Sequence, residues 1–279
     1  MRARLRFCAL LVCICVLLSV TACHTDEPPS LRICVLDVGQ SDCILLSFGE
    51  EHLLVDTGTA AARDTVLASL SRLGVGELTL LVTHPHEDHY GNARPVLETY
   101  PVSALMLPSC ESAELGWRMM LEAAIGNEVP IQKPQHGSTF LLGEATVEVL
   151  CPLPEAENPN NACLVLCVRY GSCTLLLMGD AERECELALL PYLPVDTVCD
   201  LLKVGHHGSD TATSPELLAH LTPHLAAISC GEDNEFAFPH AAVLQGLEGV
   251  GATVYRTDLH GELVFTCDGT EVTCHGSKN

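Results

Sequence analysis

Beyond residue 30 the chain alternates short apolar runs with turn-forming residues. Residues 31–37, 43–48 and 52–55 are three such runs in succession, separated by Gly and acidic positions, and they predict strands. At 64–73 the period changes: Val66, Leu67, Leu70 and Leu73 fall at helical spacing and Gly74 stops the run. Residues 78–82 return to strand. Helices are expected at 91–99 and 111–125, with a strand at 104–107 between them and another at 146–150. Residues 163–170 and 173–178 predict a hairpin closed at Gly171-Ser172; both arms are apolar on both faces and belong at the centre of a sheet. Helices at 181–190, 215–220 and 241–247 then alternate with strands at 201–204, 225–229, 253–255 and 262–265. This order suits two sheets packed face to face with helices outside, a four-layer αββα sandwich of the α/β class. No break in composition divides it, so one domain is expected over 31–279.

The strand at 78–82 ends in Thr83-His84-Pro85-His86-Glu87-Asp88-His89. Imidazole nitrogen and carboxylate oxygen are what a zinc-like ion takes, and grouping them in one stretch lowers the chain entropy lost when a site forms. A metal hydrolase needs ligands from several strand ends. Two later stretches supply them: Met178-Gly179-Asp180-Ala181, and Lys203-Val204-Gly205-His206-His207-Gly208-Ser209. Taken alone, the aspartate of Gly-Asp-Ala is as often a helix cap. In this order, each at a predicted strand end, the three stretches reinforce one another.

The His-x-His-x-Asp-His stretch resembles the signature of the metallo-β-lactamase-fold hydrolases. That resemblance implies two divalent cations, zinc or manganese, roughly 4 Å apart and sharing a hydroxide. His84 and His86 would hold one; Asp88 and His89 would hold the other, with Asp88 also in the catalytic set. Asp180 would bridge them, and a late histidine would complete the second site, His207 in preference to His206, with the reverse order open. Asp56, in Val-Asp-Thr-Gly, would orient the metal loop. Lys203, Asn161, Ser209, His206 and His240 are candidates for holding a phosphate or protonating a leaving group.

Further motifs narrow the resemblance to the extracellular hydrolase domain of the DNA-uptake competence (ComEC) proteins. They are Asp37-Val38-Gly39-Gln40-Ser41-Asp42, Asn161-Ala162-Cys163-Leu164 and Tyr255-Arg256-Thr257-Asp258. The chain has no counterpart of that family's multi-helix channel and reads as a free-standing, tethered relative. It departs from the family at Ser41 and at Phe236-Ala237-Phe238-Pro239-His240, where Phe238 replaces an expected histidine. Where many members of the wider fold place one more histidine, Asn160-Asn161 stands here, as in the competence branch, leaving the first metal partly to water or substrate. The implied activity is phosphodiester hydrolysis on a small or polymeric phosphoester, with DNA a candidate. Alternatives are hydrolysis of a choline phosphoester, lactone or β-lactam, or a binding lipoprotein with a vestigial metal site. No protein partner is implied.

The N-terminus changes the picture of location. Arg2, Arg4 and Arg6 precede an apolar run at 7–20, too short for a comfortable membrane span, and Val20-Thr21-Ala22-Cys23 resembles a bacterial lipobox. Residues 1–22 are therefore expected to be a signal peptide, Cys23 a lipidated residue, and 23–30 a tether holding the domain outside the cytoplasm. The formal charge of the chain is −22, and removing three arginines with the leader takes it to −25. Such a surface opposes non-specific binding of nucleic acid or anionic membranes. Of sixteen cysteines, four lie in the leader region. The rest form no C-x-x-C or C-x-x-H pair, which excludes a zinc finger, and many fall inside apolar runs, as buried thiols do. An even count outside the cytoplasm also permits disulfides.

Overall fold

A computed structural model describes residues 29–151, 153–193 and 198–276. The leader, Cys23 and residues 23–28 of the tether lie outside the described residues. Fifteen strands among the described residues form two sheets. The first contains β1 (Leu31–Val35), β2 (Ile44–Phe48), β3 (Glu51–Val55), β4 (Leu78–Leu81), β5 (Val102–Met106), β6 (Ile131–Gln132), β14 (Leu263–Cys267) and β15 (Val272–Gly276). The second contains β7 (Ser138–Leu142), β8 (Ala145–Leu150), β9 (Val165–Tyr170), β10 (Cys173–Leu177), β11 (Leu201–Lys203), β12 (Leu225–Ile228) and β13 (Thr253–Arg256). Their orders are β15-β14-β1-β2-β3-β4-β5-β6 and β13-β12-β11-β10-β9-β8-β7.

Each sheet has an antiparallel half and a parallel half. Parallel pairing begins at β3–β4 in one and at β10–β11 in the other. Parallel neighbours need a crossover. Here α1 (Arg63–Arg72), the short turn α2 (Glu87–Tyr90) with α3 (Ala93–Thr99), and α4 (Leu115–Gly126) serve the first sheet, and α5 (Arg183–Leu189), α6 (Pro215–Leu221) and α7 (Ala241–Gly249) the second. A last turn, α8 (Thr257–His260), follows β13.

Three apolar clusters fill the layers. Ile33, Val35, Leu46 and Leu53 meet Val147, Leu166 and Leu175 between the sheets. Cys34, Leu45 and Leu54 point the other way, onto Val66, Trp117 and Met120 of the first helix layer. Leu176 and Leu202 do the same toward Leu217 and Val243. Central strands buried on both faces carry continuous apolar runs, which is why they are legible in the sequence. This is the αββα sandwich.

Three edge strands, β6, β7 and β15, have no strong apolar signal. In β7 the pattern is half exposed, with Leu141 in solvent. The helix expected from residue 91 begins instead at Ala93, because His86–Gly91 forms its own turn, and the helix expected from 111 begins at Leu115. The described cysteines are free thiols, all buried except Cys110 and Cys274. Burial pushes the thiols of Cys34 and Cys167 up to about 11, so they behave as small inert hydrophobes. Among the described residues no helix is long and apolar enough to cross a membrane.

Candidate metal centre

The carboxyl ends of β3, β4, β10 and β11 lie along one edge of the sandwich, the usual place for a site in an open α/β sheet. The two sheets are laced together there by the Leu164 amide, which donates to the Thr83 carbonyl at 2.9 Å. From β3 comes Asp56, buried, with a left-handed φ of 59°. One of its oxygens accepts from the Thr83 amide and the other from the Thr83 hydroxyl, each at 2.8 Å. The latter oxygen also meets His89 Nδ1 at 2.7 Å, which leaves His89 Nε2 facing the cluster. Asp56 thus fixes both the start and the end of the 83–89 loop, the orienting role expected of it. The loop then turns sharply against residues 58–60. A Cβ on Gly91 would sit 2.5 Å from the Ala60 nitrogen, so only glycine allows that approach.

Among the described residues three groups of ligand atoms form: two share Asp180, and a third brings Asp42 and Asp56 to His89. Asp88, His89, Asp180 and His207 form the first; His84, His86 and Asp180 form the second; within each the donor atoms lie within 4.8 Å of one another. His84 Nε2 is 2.9 Å from His86 Nδ1 and 3.7 Å from Asp180 Oδ2. His89 Nε2 is 3.3 Å from the same oxygen. His207 Nε2 lies 3.4 Å from Asp88 Oδ2 and 3.7 Å from Asp180 Oδ1. His207 is oriented from behind by the Ser229 carbonyl, 3.1 Å from Nδ1.

These residues fit a cation on one further observation. His89 Nε2, His207 Nε2 and Asp180 Oδ1 are buried and have no hydrogen-bond partner. Each orphan of this kind costs roughly 1–3 kcal/mol, and all three face the same space. A divalent ion would satisfy them together, and an all-nitrogen-and-oxygen set with no thiolate suits zinc or manganese. Burial and the neighbouring His89 ring hold His84 well below the ordinary imidazole range, so its lone pair is free to ligate. Burial pushes Asp180 up, but His89 and His207 outweigh it and keep the carboxylate ionised. Burial likewise depresses His89, and the Asp180 and Asp56 carboxylates more than offset it.

The two adjacent histidines separate cleanly. Both take left-handed backbone, His206 at φ 47° and His207 at φ 53°, a strained pair of the kind that clusters at functional sites. His207 turns into the cluster. His206 stays partly exposed, with Nδ1 3.0 Å from Thr211 Oγ1 and Nε2 3.8 Å from Asp180 Oδ2. His207 is thus grouped with the candidate ligands and His206 lies on the more exposed side.

Three of the expected substrate contacts are placed elsewhere. Lys203 is buried; its ammonium donates to Asp42 Oδ2 at 2.9 Å and to the Val204 carbonyl at 3.0 Å. It is buried because β11 is covered on one face by the core between the sheets and on the other by the helix layer, and a buried ammonium needs a carboxylate. Asn161 caps α5: its Oδ1 accepts from the Glu182 and Cys185 amides and its Nδ2 donates to Glu184. Ser209 is buried and bonded to Thr211. All three side chains are engaged within the protein. His240 remains partly exposed, its Nδ1 accepting from the Asp210 amide at 3.0 Å. The residue that sequence reasoning left without a role is Asp42. Its second oxygen is 3.6 Å from His207 Nδ1, so the Lys203–Asp42 pair lies directly behind a ligand without a hydrogen bond to it. Its place in Gln40-Ser41-Asp42 is the one local signal that marks it.

Residues 36–232 match the family model described as the metallo-beta-lactamase superfamily. The chain is 29% identical over 269 residues to ComE operon protein 3 of Bacillus subtilis, covering 89% of this chain and 34% of that protein. It is 31% identical over 237 residues to competence protein ComA of Neisseria gonorrhoeae, covering 84% of this chain and 32% of that protein. The chain therefore spans about a third of the length of these relatives. Among solved structures, the metallo-beta-lactamase fold protein YhfI from Bacillus subtilis superposes with a TM-score of 0.55 at 12% identity, over 81% of this chain and 96% of that one. That likeness concerns the fold.

Proposed function

The chain belongs to the metallo-β-lactamase superfamily and is related to the competence proteins, and from that premise we propose that it is a phosphodiesterase acting through two divalent metal ions, zinc or manganese. The observation that carries the reading is Asp180, one carboxylate common to two ligand groups. Paired cations held there would supply Lewis acidity and a water-derived nucleophile at neutral pH. The chain's own residues do the rest. His84, His86 and Asp180 would hold one ion; Asp88, His89, Asp180 and His207 would hold the other. Asp56 and the Ser229 carbonyl keep His89 and His207 in register. His206 and His240, both partly exposed, are the candidates to contact the phosphate.

The net charge of −22 favours short substrates over long polyanions. A paired screen tests the reading: bis-p-nitrophenyl phosphate and nitrocefin, each with zinc and manganese added separately. Turnover of the phosphodiester alone supports it; turnover of nitrocefin alone replaces it with an amide hydrolase. The reading places the enzyme outside the cytoplasm on a lipid anchor at Cys23, so Cys23→Ser should leave membrane fractions or stay unprocessed. A variant that fractionates and migrates like the parent would remove the anchor.

A further inference from the structure

The segment 231–240 carries two phenyl rings to the open side of the metal centre. Phe236 is 53% exposed and Phe238 is half-buried. Their rings are stacked, with centroids 5.4 Å apart and planes 25° from parallel. The other aromatic neighbours of Phe238 among the described residues are imidazoles: His206 at 5.8 Å and His240 at 5.0 Å, both edge-on. His206 in turn sets Nε2 3.8 Å from Asp180 Oδ2, so the ring pair begins one imidazole away from the shared carboxylate.

The position of these rings is fixed by polar contacts rather than by burial. Asn234 Nδ2 donates to the Gly231 and Phe238 carbonyls, while its Oδ1 accepts from the Phe238 amide. The His240 amide donates to the Gly208 carbonyl at 2.9 Å. A Cβ on Gly208 would lie 2.4 Å from Pro239 Cβ, so the His206-His207-Gly208 turn seats directly on this segment. One asparagine side chain thus makes three hydrogen bonds to hold an aromatic pair partly in water beside the site. Exposing apolar rings costs free energy, and an ordered, exposed aromatic face next to a reaction centre is suited to stacking on a flat partner.

We propose that Phe236 and Phe238 form a stacking subsite for a planar aromatic ring of the substrate, namely the base of a nucleotide-sized phosphodiester bound at the metal centre. This rests on the phosphodiesterase reading for the reaction, but not for the binding. Stacking on a neutral ring is indifferent to the strongly negative charge of the chain, whereas phosphate-by-phosphate binding of a polymer is opposed by it. The subsite therefore selects a short substrate by its base and excludes phosphodiesters that carry only aliphatic groups.

The test is equilibrium binding by the metal-loaded, full-length protein, measured by calorimetry, of uridine 5′-monophosphate against ribose 5-phosphate. The two share a phosphate and a sugar and differ in the base. The parent should prefer the nucleotide by about 5- to 150-fold, the range for one base stacked on an aromatic side chain. Phe236→Ala should lose much of that preference and the Phe236→Ala/Phe238→Ala double variant nearly all of it, with ribose 5-phosphate affinity and metal content unchanged; Phe236→Trp should keep it. Equal binding of the two ligands by the parent, no binding of the nucleotide, or a preference that survives the double variant would overturn the proposal. A protein inert toward bis-p-nitrophenyl phosphate that still shows the base preference would lose the phosphodiesterase reading and keep the subsite. The converse result would lose the subsite alone.

Discussion

Replacing Lys203 by methionine separates a buried ion pair from a substrate contact. Lys203 and Asp42 are 2% and 1% exposed at their side chains, and their charged atoms are 2.9 Å apart. Lys203→Met keeps the length and apolar stem but strands a carboxylate in the core. The nearest remaining cationic candidate, His207 Nδ1, is 3.6 Å away and already faces the Ser229 carbonyl. Breaking one half of a buried pair costs about 3–5 kcal/mol. At 2–4 °C per kcal/mol for a chain of this size, that is a fall in Tm of roughly 6–20 °C. Adding Asp42→Asn removes the stranded charge, so the double variant should recover most of the loss, because removing a buried pair as a unit is often near neutral. Thermal and urea unfolding of the four proteins give the coupling energy directly, and about 2 kcal/mol or more is expected. A Lys203→Met protein with parental stability but lost turnover would refute the buried pair and return Lys203 to the substrate.

The other predictions concern the ligands and the aromatic rim. Asp180→Ala should lose metal as well as activity, since both ligand groups depend on it; retention of two metals per chain, read by elemental analysis, would remove its bridging role. Asp56→Ala should weaken metal affinity about 10–100-fold through the freed His89 ring, and an unchanged affinity in a competitive chelator titration would contradict the orienting role. Phe238→His should raise cleavage of DNA more than cleavage of bis-p-nitrophenyl phosphate. A proton donor is worth about 10²–10⁴-fold only when the leaving group is poor, and an unchanged ratio of the two rates would show that His206 or His240 already supplies the proton.

What was legible in the sequence follows from where the chemistry is local. His84, His86, Asp88 and His89 sit in one loop after one apolar strand, and Asp180 and His207 each follow another, so strand period and ligand type together point to them. The buried strands are equally plain because both faces are apolar. What was not legible depends on partners distant in the chain. The Lys203–Asp42 pair spans 161 positions and joins the two sheets, so Lys203 reads as a polar residue at a strand end with nothing to mark its burial. Asn161 has the composition of a turn and acts as a cap for a helix that starts more than twenty residues later. The edge strands escape because one face needs no apolar residues. The turn at 87–90 escapes because its shape comes from Gly91 packing on the backbone of 58–60, a contact no local pattern announces.

The central claim is a hydrolytic site built from two ligand groups around Asp180. Its most direct test is to strip the protein with a chelator, restore zinc or manganese in steps, and record bound metal and bis-p-nitrophenyl phosphate turnover on the same samples. Turnover that rises in step with binding and levels off at two metals per chain is the predicted result. Full turnover in the stripped protein, or two bound metals with no turnover of the phosphodiester under either metal, would contradict it.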